Sequence, residues 1–178
     1  MSHSFEAPGG NRLISLAAAT LAVLAALGTL FAHHRSITAL SSKNQAILLQ
    51  SRAADAYNAY EAKQIRFNIY RALLATGLVR DAQTRQQLED AAAVANEAAP
   101  AVLEKAKALE RQATGEDERS QSVMKSYEML QYAAAAFQIA VVLVSISTLF
   151  AARYFVPMAG ILGTLGLALF AMGLAKGG

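Results

Sequence analysis

The sequence predicts an all-α membrane protein: three transmembrane helices and a long antiparallel, coiled-coil-like helical arm outside the membrane. Two observations predict it. Three apolar runs, Leu13–Ala32, Tyr132–Ala152 and Val156–Ala175, hold 20, 21 and 20 residues and contain no Asp, Glu, Lys or Arg. At about 1.5 Å of rise per residue, each is long enough to cross a hydrocarbon layer about 30 Å thick. Between the first and second runs lies His33–Gln131, 99 residues rich in Ala, Gln, Lys, Arg and Glu. The chain then divides into a short N-terminal segment (1–12), a span (13–32), a helical hairpin arm (33–131) and two further spans (132–152 and 156–175).

Composition fits that class. Apolar residues make up 54% of the 178 and charged residues 16%, below the roughly 25% usual in soluble domains. The arm holds 13 of the 16 Lys and Arg and 12 of the 13 Asp and Glu, a net of +1 with the signs interspersed. Nucleic-acid binding needs a patch of one sign, which is not visible in this pattern; a solvated helix surface of mixed charge is the reading expected. The absence of Cys excludes disulfide frameworks, thiolate zinc sites and thiol catalysis.

The first run exceeds the roughly 7–15 residues of a signal-peptide core. It has only Arg12 before it and ends in Leu-Phe-Ala-His-His-Arg (Leu30–Arg35), a poor cleavage site, so it reads as a retained anchor. It is rich in Leu and Ala, interrupted by Ser15, Thr20, Gly28 and Thr29. The second run contains Gln138, Ser145, Ser147 and Thr148. Hydroxyls return their hydrogen bonds to the preceding helical turn, but an amide in lipid needs a partner. Gln138 is expected to bond across a helix interface, with a substrate or ion pathway as the minor alternative. The third run opens with Pro157, suited to a first helical turn. It continues as Gly160-x-x-Gly163-x-x-Gly166, with Ala159 four residues before Gly163, which predicts a close helix–helix contact. Arg153, Tyr154 and Phe155 form an interfacial anchor in the tight turn between the last two spans.

Lys and Arg near the span ends set orientation. Arg12 and Arg153 fall on one side, and Arg35, Lys43, Arg119, Lys125 and Lys176 on the other, which favours a cytoplasmic arm.

The arm is read from its breakers. Ser36–Thr76 has no Gly or Pro and is expected to run as one helix for about 60 Å, ending at a Gly77 cap. A second helix is expected from near Thr84 to about Gln112, kinked at Pro100. Its apolar positions Leu88, Ala92, Ala95, Ala99, Val102, Ala106, Leu109 and Ala113 alternate steps of four and three, a seam made mostly of Ala. Thr114-Gly115 predicts another break, with Glu116–Glu118 as the acidic first turn of a third arm helix that continues into the second span. The first arm helix carries the bulk: Ile37, Leu40, Ile47, Leu48, Tyr57, Tyr60, Ile65, Phe67, Ile69, Tyr70, Leu73 and Leu74. These residues are expected to fill the gap beside the Ala seam. They cover more than one stripe, so this helix is also expected to touch another neighbour.

The stretch Tyr57-Asn58-Ala59-Tyr60-Glu61-Ala62-Lys63-Gln64-Ile65-Arg66, with Asn44-Gln45-Ala46 upstream, resembles the signature of a domain-of-unknown-function family of small bacterial inner-membrane proteins. Members share an aromatic-x-x-Tyr-x-Ala-Lys-x-Ile-(Arg/Lys) block; here Tyr57 stands at a position where the family favours Trp, and Glu61 where it favours Gln. The resemblance implies the architecture, a multi-pass place in the bacterial inner membrane, and no assigned activity.

Two readings of each candidate site stand side by side. Tyr57, Tyr60, Lys63 and Arg66 form either a recognition face or a packed Tyr stripe beside solvated cations. The pair His33-His34 is interfacial, or gathers a metal or proton in an oligomer; adjacent helical residues diverge by about 100°, so one copy does not chelate a metal as an i,i+4 pair does. Asp55, Asp81, Glu89 and Asp90 are scattered, the arm interior has no His, and no nucleophile–base–orienter set emerges. The expectation is therefore no enzyme, no cofactor, no metal, no nucleic acid and no identified small-molecule substrate. The partners expected are the lipid bilayer and either further copies or the subunits of a membrane complex. The leading reading is a non-enzymatic assembly protein, a scaffold or accessory subunit acting through arm and spans. Alternatives are a homo-oligomeric channel or mechanosensor, and a signalling module whose arm repacks on binding a ligand.

Overall fold

The computed structural model describes residues 9–150 and 154–176. Every regular element among them is helical: α1 (Gly9–Ala75), α2 (Ala82–Phe150) and α3 (Phe155–Ala175). Each helix includes a stretch long and apolar enough to cross a membrane. Arg153 of the expected anchor lies outside the described residues; Tyr154 and Phe155 stack with ring centroids 4.5 Å apart.

Two helices account for the segment between the first and second apolar runs, where three were expected. α2 runs unbroken through Pro100, Thr114 and Gly115. The expected break at Thr114-Gly115 does not form because both residues are accommodated within the helix. The Thr114 hydroxyl donates to the Glu110 carbonyl at 3.0 Å, one turn back, and Gly115 keeps negative φ. Buried Ala113 and Ser120 on either side hold the backbone helical, and such packing outweighs the roughly 1 kcal/mol helix penalty of one Gly. Glu116–Glu118 are therefore mid-helical rather than a first turn.

The turn between α1 and α2 follows from local chemistry. Gly77 has φ +66°, a conformation that costs a residue with a Cβ about 1–2 kcal/mol. The Thr76 hydroxyl donates to the Leu73 carbonyl at 2.7 Å. α2 begins at Ala82, two residues before the expected start, because Asp81 caps it. The Asp81 carboxylate accepts from the Thr84 backbone N–H at 2.8 Å and from the Thr84 hydroxyl at 2.5 Å. Its carbonyl accepts the first helical bond, from Arg85 N–H at 3.0 Å, as an N-cap residue does.

Contacts divide the chain into two compact units. Residues up to Ser41 and from Arg119 onward form the first, and Ser42–Glu118 the second. In the first unit α3 packs on α1 and α2. Phe137 and Leu130 are fully buried, and Phe170 meets Phe31 and Phe137 edge-on at 6.0 and 6.5 Å. A Cβ on Gly166 would stand 2.7 Å from the Phe137 ring, so the ring lies directly on the α3 backbone. The Ser126 hydroxyl, fully buried, donates to the Gly173 carbonyl at 2.6 Å, and the Ser120 hydroxyl to the Ala39 carbonyl at 2.9 Å.

In the second unit all eight α2 seam positions from Leu88 to Ala113 are buried or half-buried. The α1 side differs from expectation. Its buried residues are Ser42, Ala46, Leu49, Ala53 and Ala56, followed by half-buried Tyr60, Lys63, Phe67, Tyr70 and Leu74. These positions also alternate steps of four and three. Small residues thus meet small residues over the first half of the stripe, and aromatic rings enter only from Tyr60 onward. Ile47, Leu48, Ile65, Ile69 and Leu73, expected in the gap, point outward. The spacing explains it: at about 100° per residue, those five fall outside the four-three rhythm of Ala46, Ala53 and Ala56 and are turned away from the seam.

Candidate interaction surfaces

Helix geometry decides what the Tyr57–Arg66 block can present. Each step of three residues rotates a side chain by about 60° backwards around the axis, so Tyr57, Tyr60, Lys63 and Arg66 sweep half the circumference. Tyr57, Tyr60 and Lys63 are half-buried and Arg66 is exposed; the four do not share one face. Tyr57 is engaged with α2: its hydroxyl donates to Glu110 Oε2 at 2.7 Å. That bond to Glu110, followed by partial burial and the Glu110 charge, raises the Tyr57 pKa, because each disfavours phenolate. Asp81 is shifted the other way. The Thr84 hydroxyl and then the Thr84 N–H hold its carboxyl below the ordinary range, since both bond the charged form.

A second cross-helix bond joins Lys43 Nζ to Asp117 Oδ1 at 2.5 Å. Between it and the Tyr57–Glu110 bond lies a groove of about 410 Å³. Ala46, Ala53 and Ala113 line it, with Gln50 and Thr114 as its polar members. The short alanines leave this space, and the two polar bonds close its ends. Further along α1, the Arg71 guanidinium lies 5.6 Å from the centre of the Phe67 ring.

Away from the seam, α1 in this unit exposes two clusters of large apolar residues, separated by exposed Ser51, Asp55 and Asn58. Ile47, Leu48, Ile65, Ile69 and Leu73 are 42–58% exposed. On α2 of the same unit the exposed large hydrophobic residue is Val94, so these clusters belong to α1.

The third run's small residues fall into two groups. Gly163 and Gly166 lie in the α3 contact, together with Ala159 and Gly173. Gly160 is exposed and a Cβ there would meet open space. Three glycines at intervals of three drift by about 120° around a helix, whereas 159, 163, 166 and 173 keep one face. Gln138 is exposed and makes no hydrogen bond among the described residues. It lines a groove of about 440 Å³ with Ala22, Ala25, Ala26, Thr29, Val141 and Val142. His33 lines a smaller cleft with Thr29, Ser36, Tyr127 and Gln131. Among the described residues no three or more His, Asp or Glu come together as a metal-binding group.

Sequence reasoning missed the Asp81 cap, although Asp-Ala-Gln-Thr places a carboxylate acceptor three positions before the Thr84 N–H and hydroxyl that donate to it. It also missed the Lys43–Asp117 and Tyr57–Glu110 bonds. Their signal is the register between two seams: once Ala46 and Ala113 are both placed inward, the flanking polar residues meet.

The class defined by these features is an all-helical protein with three helices apolar enough to cross a membrane. Within it, the chain matches the family Domain of unknown function (DUF4337) over residues 10–176 and belongs to that family. An unknown-function family is what the Tyr57–Arg66 resemblance implied. Comparison with curated proteins and with solved structures gave no match.

Proposed function

We propose that this chain is a non-enzymatic integral membrane assembly protein, a scaffold or accessory subunit that self-associates or joins a larger membrane complex. In this reading α1, the end of α2 and α3 contribute three spans of a bacterial inner-membrane protein. Residues between the first two spans form a coiled-coil-like arm on the cytoplasmic side. One observation carries the reading, the apolar surface that α1 leaves open. Large apolar side chains left exposed in two clusters on one helix, Ile47 with Leu48 and Ile65 with Ile69 and Leu73, support an interaction site, and a helix with apolar groups beyond its seam serves a second neighbour. α2 takes the first through the Ala seam; the second is left for another chain.

The test compares the full-length protein with an Ile65→Glu/Ile69→Glu variant, both extracted gently and sized by light scattering coupled to chromatography. The reading expects a particle larger than one chain in its detergent belt, reduced in mass by the double substitution. Both residues are outward-facing, so the fold of the single chain survives, as circular dichroism would register. A single-chain particle for the unsubstituted protein, with no other subunit attached, contradicts the proposal.

A further inference from the structure

We propose that two copies of this chain pair within the bilayer through the α1–α2 groove, Gln138 of each bonding Gln138 of the other; this rests on the membrane-assembly reading above. Gln138 is the seventh residue of the Tyr132–Ala152 run, so it lies about 9 Å in from the start of that run, at hydrocarbon depth. An amide there without a partner forfeits hydrogen bonds that lipid does not replace. α3 does not supply the partner. It packs where Leu169 and Phe170, with Leu21 and Leu24, surround the buried cluster of Ala25, Ala133 and Phe137. No α3 residue lines the Gln138 groove, whose walls are Ala22, Ala25, Ala26, Thr29, Val141 and Val142.

The floor of that groove is shallow because its α1 residues are small, and close backbone approach is what drives helix association in lipid. The occupant follows from the amide. A primary amide is both donor and acceptor, so two of them related by a two-fold axis satisfy each other reciprocally. Copies inserted in the same membrane about an axis along its normal bring equivalent residues to the same depth. Gln138 is the sole Asn, Gln or charged residue in the three apolar runs, so within an assembly of this chain its amide partner is another Gln138. Thr29 adds an acceptor. Its hydroxyl proton is committed to the Ala25 carbonyl at 3.0 Å, which leaves the oxygen to receive the remaining amide N–H.

The chain has no Cys, so single-cysteine variants report cleanly on full-length protein in its own membranes. Val142→Cys, on the groove wall, is expected to form disulfide dimers under a lipid-soluble oxidant. Ile161→Cys, which is 68% exposed on α3, is expected to stay monomeric. Adding Gln138→Leu to Val142→Cys is expected to lower dimer affinity roughly tenfold, from two interhelical bonds of the strength seen in membrane bundles. Gln138→Asn, which keeps the amide, restores most of it. Leucine is at home in lipid, so the fold is retained. Dimers trapped at Ile161→Cys but not Val142→Cys overturn the groove interface while leaving self-association standing. Val142→Cys joined only to a different protein overturns the second copy as occupant. A protein that is monomeric throughout and has no other subunit overturns this inference and the assembly reading together.

Discussion

The two contact units share α1 and α2 and solve packing in different ways. The first buries large side chains, Phe137 and Leu130, against the backbone of α3 at Gly166 and Gly173. Its third helix supplies a floor onto which rings are pressed. The second has two helices and buries mostly alanines, Ala46, Ala53, Ala99, Ala106 and Ala113 among them, with polar bonds at the edges. A pair of helices has no interior beyond its seam, so bulky side chains that miss the seam face outward. Close packing of small residues therefore fixes the register of the second unit and leaves its larger apolar groups for other contacts.

Substitutions sharpen that contrast. The largest effect is expected at Gly166→Ala, where the added Cβ meets the Phe137 ring at 2.7 Å; overpacking of this kind costs about 1–3 kcal/mol. Thermal unfolding in detergent should drop accordingly, whereas Gly160→Ala, into open space, should stay within about 0.5 kcal/mol of the parent. Equal effects at the two glycines would break the account of α3. Ala106→Leu is expected to have a comparable effect in the second unit, about 1–3 kcal/mol, because Ala106 is fully buried in a seam with no room for a branched chain. Hydrogen exchange would localise that loss to Ser42–Glu118.

Smaller effects are expected at the edges. Losing Lys43 by Lys43→Met removes a solvent-exposed ion pair with Asp117, a change of less than about 1 kcal/mol that shrinks further in salt. Asp81→Ala should speed amide exchange at Thr84 by fraying the first turn of α2. Its pH dependence has a definite sign. The folded carboxyl is held below its ordinary value, so the cap's contribution is present above that value, near 4. It is lost as pH falls through the lowered folded one. Tyr57 runs the opposite way. Its raised pKa means the bond to Glu110 contributes below about pH 10 and is lost as pH climbs through the folded value. Ultraviolet titration of phenolate should show one tyrosine that ionises earlier in Glu110→Gln than in the parent protein, as Tyr57 returns toward the ordinary range.

Much of this architecture was legible in the sequence, for physical reasons that also explain what was not. Runs of 20 uncharged residues declare themselves, and Gly77 declares a helix end because its left-handed conformation is costly for a residue with a Cβ. Thr114-Gly115 carries a break signal yet stays helical, because local propensity is weak against the packing of Ala113 and Ser120 on either side. On the α1 stripe, spacing and not side-chain size decides which residues turn inward. Ala46, Ala53 and Ala56 keep the four-three rhythm that Ile47, Leu48 and Ile65 lack. Likewise, Gly160 shares its residue type with Gly163 and Gly166 but not their face. Polar bonds such as Tyr57–Glu110 connect positions 53 residues apart, and no local pattern sets that register.

Assembly is the property on which the proposed role of this chain depends. Native mass spectrometry of the tagged full-length protein, extracted gently from its own membrane, addresses that most directly. A homo-oligomer, or a complex with stoichiometric foreign subunits, is the result predicted. A bare monomer across the full range of gentle detergents would contradict it.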